Sequence, residues 1–204
     1  MALAMSLTPR RERGRPREFD LNQALDDAML VFRRQGFHGA SITDLSAAMQ
    51  LTAGSIYKAF GDKHGLFLQV FERYLQLRHQ ALRHALENQP DGRSAIKQLL
   101  QFYFDSSRDL QGRLGCMVVN STVEQNLLEE PLAQRVREVV LGNRTRLVQL
   151  IEQGQQDGSV NPDINAQAGA EMLLCVLFGM RVMAKNSNLQ HEEQSLALIL
   201  KMLD

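Results

Sequence analysis

The chain has 204 residues, of which 44% are hydrophobic and 23% charged, with no net formal charge. Such a balance fits a globular, soluble protein long enough to bury a real core, either as one large domain or as a small head with a larger body. Only Cys116 and Cys175 are present, which excludes a dense disulfide framework and points to free thiols in a reducing cytoplasm.

The zero charge hides an asymmetry. Residues 1–64 carry 9 Lys/Arg against 7 Asp/Glu, and residues 65–204 carry 14 against 16. Most of the useful positive charge lies on an N-terminal arm, where Arg10, Arg11, Arg13, Arg15 and Arg17 surround Gly14 and Pro16. An extended arginine segment can follow phosphates or enter a minor groove, or it can be a solvated charge run. We assign residues 1–17 to this arm.

Asp20 is placed to cap a first helix, with Gln23 completing a capping box. Leu21, Leu25, Ala28 and Phe32 form its apolar stripe, and Gly36 is a natural stop. Ser41 can cap a second helix with Ile42, Leu45 and Met49 on one face. After a break at Gln50–Thr52, Thr52 can cap a third. In it Ala53, Ile56 and Phe60 point inward, leaving Gly54, Ser55, Tyr57 and Lys58 outside. Small residues, hydroxyls and one cation on that outer side suit a DNA groove.

The stretch SITDLSAAMQLTAGSIYKAFGDK, from Ser41 to Lys63, resembles the helix-turn-helix of the tetracycline-repressor (TetR) family. The shared features are the aromatic pair Tyr57 and Phe60, the short turn Gly61–Asp62, and Lys63 opening the next helix. The family usually has Gly in the inter-helix turn, where this chain has Gln50; a left-handed non-Gly residue there costs ~1 kcal/mol. The resemblance implies an all-α fold: a three-helix DNA-binding head over residues 18–64, then a helical ligand-binding and dimerisation body over 65–204. Within the head we expect the arm residues Arg13, Arg15 and Arg17, with Tyr57, Lys58 and Lys63, mainly to hold phosphates and Thr43, Ala53, Gly54 and Ser55 to lie where base edges can be reached, with Thr52 a further expected DNA contact.

A long amphipathic helix is expected over about Lys63–Asn88, with Phe67, Phe71, Tyr74, Leu75 and Leu82 on one side. NQPDGR at Asn88–Arg93 reads as a turn. A further helix carries Ile96, Leu99, Leu100 and Tyr103 to about Leu110, and another runs from Leu132 to a stop near Gly158. The helix around Ala166–Lys185 is apolar on nearly every side and has to be covered. The last helix has a narrower stripe at Leu196, Leu200 and Leu203. The resemblance implies that these two C-terminal helices meet their symmetry mates in a homodimer. The longest apolar run, Met172–Phe178, lies between Glu171 and Arg181 and falls short of the ~20 residues of a spanning helix, so no membrane partner is expected.

The five histidines show no ligand spacing, and no GxxxxGK, GxGxxG or nucleophile-elbow run occurs. Neither a metal, a cofactor nor an enzymatic activity is therefore expected. The nine methionines with Phe102, Phe104 and Phe178 suit either plain core or a malleable apolar pocket. The resemblance favours the pocket, with Phe102, Phe104, Cys116, Met117, Asn120, Met172, Val176 and Phe178 as candidate lining for a largely apolar effector. Cys116 follows Gly115 at an expected helix start with Arg113 close by, features that favour a thiolate. A buried inert thiol and a sensor of electrophiles or oxidants both stay open, the latter implied by relatives with a similar Gly-Cys opening.

The expected function is a homodimeric repressor of a palindromic double-stranded operator, released by a small molecule. The alternatives are a thiol-based sensor through Cys116 and a ligand-binding protein without DNA binding.

Overall fold

The computed structural model describes residues 20–204 of the chain. The arm residues Arg13, Arg15 and Arg17 lie outside the described residues. The fold is all-α, with no strand among the described residues.

The head begins with α1 (Leu21–Gly39), whose N-cap Asp20 accepts from the Asn22 and Gln23 amides. The expected capping box does not close, because the Gln23 side chain turns forward to Asp27 at 3.0 Å. Leu21 is also off the buried stripe and largely exposed, whereas Leu25, Ala28 and Phe32 are buried. Gly36 breaks the helix as expected: at φ 73° it adopts a conformation open mainly to glycine, and a short turn carries the chain to Gly39. α2 (Ile42–Met49) starts with a closed capping box between Ser41 and Asp44. Gln50 takes the left-handed turn at φ 53°, ψ 36°, and α3 (Ala53–Phe60) follows.

α4 (Lys63–Leu86) is the strut of the molecule, 24 residues and about 36 Å long. Its expected stripe is buried in full. Phe67, Phe71, Tyr74 and Leu75 enter a first core shared with α1–α3, α7 (Met117–Val123) and the start of α8 (Leu132–Asp157). Leu82 enters a second core formed by α5 (Gly92–Asp105), the rest of α8, α9 (Ala166–Met183) and α10 (Glu192–Leu200). Both α4 and α8 therefore cross from one core to the other.

The helix expected to run to Leu110 ends at Asp105, and a short α6 (Asp109–Leu114) follows. The Ser106 and Ser107 hydroxyls fold back onto the Phe102 and Tyr103 carbonyls, each at 2.7 Å. Such local bonds compete with helical ones and end the helix. At the far end of the body the α5 and α8 backbones touch. A Cβ on Gly92 would stand 2.3 Å from the Gly154 nitrogen, so neither helix can retreat from a side chain there. Asp157 and Ser159 accept from the Gly92 and Arg93 amides and fasten the contact.

α9 is long and apolar enough by composition to cross a membrane, at 18 residues and a mean hydropathy of 1.3, which corrects the shorter reading from its uncharged run. Its packing is that of a core helix with one open side. Ala170, Leu173, Leu177 and Met180 are buried in the second core, and Glu171 pairs with Arg144 at 3.0 Å. Met172, Cys175, Val182 and Met183 are exposed on the other side.

Candidate functional site

The outward face of α3 is built by its N-cap. Thr52 Oγ1 accepts from the Ser55 amide at 3.1 Å and lies 3.0 Å from the Ser55 hydroxyl. Ile56 and Phe60 are buried against the head and fix the helix's rotation. Ala53, expected both on the inner face and at base edges, is exposed, as are Gly54, Tyr57, Lys58 and, on α2, Thr43. Ser55 is half-buried. A Cβ on Gly54 would meet only Thr52 Oγ1, at 3.9 Å, so open space lies in front of the first turn. The first-turn amides add the positive end of the helix dipole. Small residues, a phenol and an ammonium thus share one convex surface.

Lys63 is half-buried, and its ammonium donates to the Ala40 carbonyl at 3.1 Å while standing 4.6 Å from the Phe37 ring centroid. It locks the start of α4 to the end of α1. One carbonyl bond leaves two ammonium hydrogens free to turn elsewhere.

Behind the head lies a cavity of about 30 Å³ between α4, α5, α7, α8 and α9, enough for about two waters. Of the candidate pocket residues, Phe102, Cys116 and Phe178 line it. Phe104 packs in the second core and Met117 in the first. Asn120 donates to the Arg33 carbonyl at 3.4 Å, Val176 is half-buried among second-core residues, and Met172 is on the exposed side of α9. The lining is also more polar than expected, for Tyr74, Arg78, His79, Tyr103, Asn143 and Arg146 share it. His79 is held below its ordinary pKa by burial and then by Arg146.

Cys116 is the N-cap of α7 and is buried. Burial raises its thiol pKa. Arg78, the Tyr74 hydroxyl at 3.2 Å, the Val119 amide and Arg181 together outweigh burial and hold it below the ordinary thiol value. The cation expected to do this, Arg113, is exposed. Arg78 had a signal in the sequence: it stands four residues from both Tyr74 and Leu82, a charge on an apolar stripe.

Among the described residues no group of three or more His, Cys, Asp or Glu side chains comes together as metal ligands would. What does come together is a helix with an exposed polar face on a three-helix head, which shares a core with α4, α7 and α8 and lies in front of a small cavity. Residues 24–70 match the pattern described as "Bacterial regulatory proteins, tetR family", and residues 92–201 match "Tetracyclin repressor-like, C-terminal domain". The chain belongs to the TetR family. This TetR-family chain is 28% identical over 194 residues to the HTH-type transcriptional repressor ComR of Escherichia coli (strain K12), covering 91% of this chain and 89% of ComR. It is likewise 28% identical to the HTH-type regulator YezE of Bacillus subtilis (strain 168), over 91% of this chain and 99% of YezE. Among solved structures it is similar to a cysteine mutant of the TetR-family regulator CifR complexed with 26-bp operator DNA. That match has 32% identity, covers 93% of this chain and 98% of CifR, and has a TM-score of 0.73. A regulator from Agrobacterium tumefaciens, at 18% identity and a TM-score of 0.80, shares the fold.

Proposed function

We propose that this TetR-family regulator is a homodimeric repressor that reads a near-palindromic operator with α3 and leaves it when a small molecule occupies the body. The observation that carries the reading is the outward face of α3, exposed on a helix whose other side is locked into the head by Ile56 and Phe60. In this reading Tyr57, Lys58, Lys63 and the arm arginines Arg13, Arg15 and Arg17 hold phosphates. Thr43, Thr52, Ala53, Gly54 and Ser55 lie toward base edges. The operator complex of CifR supports double-stranded DNA as the partner.

A second copy is the natural cover for the open side of α9, since Met172, Val182 and Met183, with Leu198 of α10, are large apolar groups left in water. Dimerisation would set two α3 helices about 34–36 Å apart, on successive major grooves. The effector signal has a short route to the head through α7: Asn120 bonds the Arg33 carbonyl, and Glu124 accepts from the Phe37 amide at 3.3 Å. A ligand that moves the start of α7 would pull on α1 and, through Lys63, on α4. It releases the operator only if it prefers the non-binding spacing.

Selection from a random-sequence DNA pool tests the reading directly. Enrichment of an inverted repeat is expected. A folded dimer that enriches no sequence at low salt would overturn it in favour of a ligand-binding protein that does not bind DNA.

A second reading, in which the effector is an electrophile captured by Cys116, is favoured by the lowered thiol pKa and the position of the sulfur on the cavity wall. Cys116→Ser is then expected to bind the operator normally and to retain that binding after N-ethylmaleimide treatment that releases the parent protein at least tenfold. Equal loss in both proteins would rule out this thiol and leave Cys175 to be examined.

A further inference from the structure

A second cavity, of about 320 Å³, shares Tyr74 and Arg78 with the first. Three arginines from distant parts of the chain line it: Arg33 of α1, Arg78 of α4 and Arg181 of α9. Arg33 and Arg181 are buried, at 7% and 2% exposure, and Arg78 is half-buried. Their hydrogen bonds go to neutral groups around the α5–α6 junction. Arg33 donates to the Gly115 carbonyl and to both the side chain and the carbonyl of Gln111. Arg181 donates to the Ser106 carbonyl, the Ser107 hydroxyl and the Gln111 carbonyl. Arg78 donates to the Ser106 hydroxyl at 2.6 Å.

Carbonyls and hydroxyls satisfy donors but cancel no charge. Among the described residues no carboxylate lies within ion-pair distance of any of the three, although eight other arginine–carboxylate pairs occur. No acidic residue lines the cavity. Gathering three guanidinium groups in a partly desolvated space, with the weak acids Tyr74 and Cys116 rather than a carboxylate beside them, is costly. Burial holds the Arg33 pKa below its ordinary value, with Arg181 and Arg78 pushing the same way against Tyr74 and Cys116. The buried Arg181 Nε has no hydrogen-bond partner. The remaining wall is apolar, made by Met29, the Tyr74 ring and Leu77, with Leu77 exposed at the mouth.

From these arginines and this wall we propose that the cavity binds a small organic carboxylate, its charged end among Arg33, Arg78 and Arg181 and its apolar body against Met29 and Leu77. A carboxylate is the group that guanidinium forks hold best, through paired charge-assisted hydrogen bonds, and the cavity is within the size range of small-molecule sites. Binding would compete with the Gly115 and Gln111 carbonyls for Arg33, which belongs to the head. Occupancy is thereby coupled to the position of α1, and this consequence, unlike the binding itself, rests on the repressor reading above.

The test is calorimetric titration of the dimer, in buffer free of other polyvalent anions, with acetate, butyrate, hexanoate and benzoate, each paired with its primary amide. At least one carboxylate is expected to bind tenfold or more tightly than its amide. That preference should fall below threefold in Arg78→Gln, which loses the hydrogen bond to Ser106 and the guanidinium's stacking over Phe102 and Tyr103, and in Arg181→Met. Should the latter not fold, Arg78→Gln alone decides. The proposal is overturned if no carboxylate outbinds its amide, or if the preference survives the substitutions. Operator binding is measured on the same preparations. Sequence-specific DNA binding without carboxylate preference sinks only this proposal, and carboxylate preference without DNA binding sinks only the repressor reading.

Discussion

Gly54→Asp is expected to weaken operator binding by about 100-fold or more while leaving the fold as stable as before or slightly more so. The two effects separate because they arise on different sides of α3. Toward the protein, a side chain at residue 54 finds open space, with Thr52 Oγ1 at 3.9 Å as its one neighbour. A glycine in a helix costs up to ~1 kcal/mol relative to residues with a side chain, and an acidic group in the first turn interacts well with the helix dipole. Toward the DNA, the same carboxylate would stand on each protomer where the proposed groove and its phosphates come closest. Like-charge contact costs several kcal/mol, and ~2.7 kcal/mol is a hundredfold in affinity. Electrophoretic mobility shift and thermal denaturation on one preparation check both halves. Undiminished operator binding would remove the first turn of α3 from the reading surface.

Phe67→Ala is expected to destabilise the protein by about 3–5 kcal/mol, enough to threaten folding at growth temperature. Phe67 is buried at 2% exposure and is the hub of the aromatic group that joins α4 to the head. It meets Phe32 edge-on at 4.8 Å and Phe37 edge-on at 5.2 Å, and it stacks over Phe71 at 6.1 Å. Truncation removes the ring's burial, leaves a cavity and cancels three aromatic contacts. Phe67→Leu should recover more than half of the loss, because it refills most of the volume without the ring geometry. Urea unfolding followed by circular dichroism measures both. A loss under 1 kcal/mol for the alanine variant would mean that head and strut are held together elsewhere.

The head was legible because its signals are local. Ser41 and Thr52 announce their helices by satisfying the first free amides, and the three- and four-residue spacing of Ile42, Leu45, Met49, Ile56 and Phe60 leaves one way to bury them. Gln23 was misread for the same local reason: two partners were within reach, and Asp27 on the next turn captured it in place of the cap. Ser106 and Ser107 ended α5 through backbone bonds that periodicity does not register. Around the cavity the failure was of another kind. Methionine and phenylalanine content suggested an apolar pocket, yet Met172 faces outward while two arginines and two tyrosines face in.

By itself the sequence determined the all-α class, the helix-turn-helix, the buried stripe of α4 and the stop at Gly158, since each depends on residues within a few turns of one another. It also held a clue to the arginine site: Arg33, Arg78 and Arg181 each stand four residues beyond a buried apolar or aromatic residue, Met29, Tyr74 and Leu177. Only the tertiary structure decided that these three arginines meet, that Arg78 rather than Arg113 lies near Cys116, and that one side of α9 stays open. Such outcomes depend on how α1, α4 and α9 cross, and crossing is set by the summed packing of two cores rather than by any single stretch of chain.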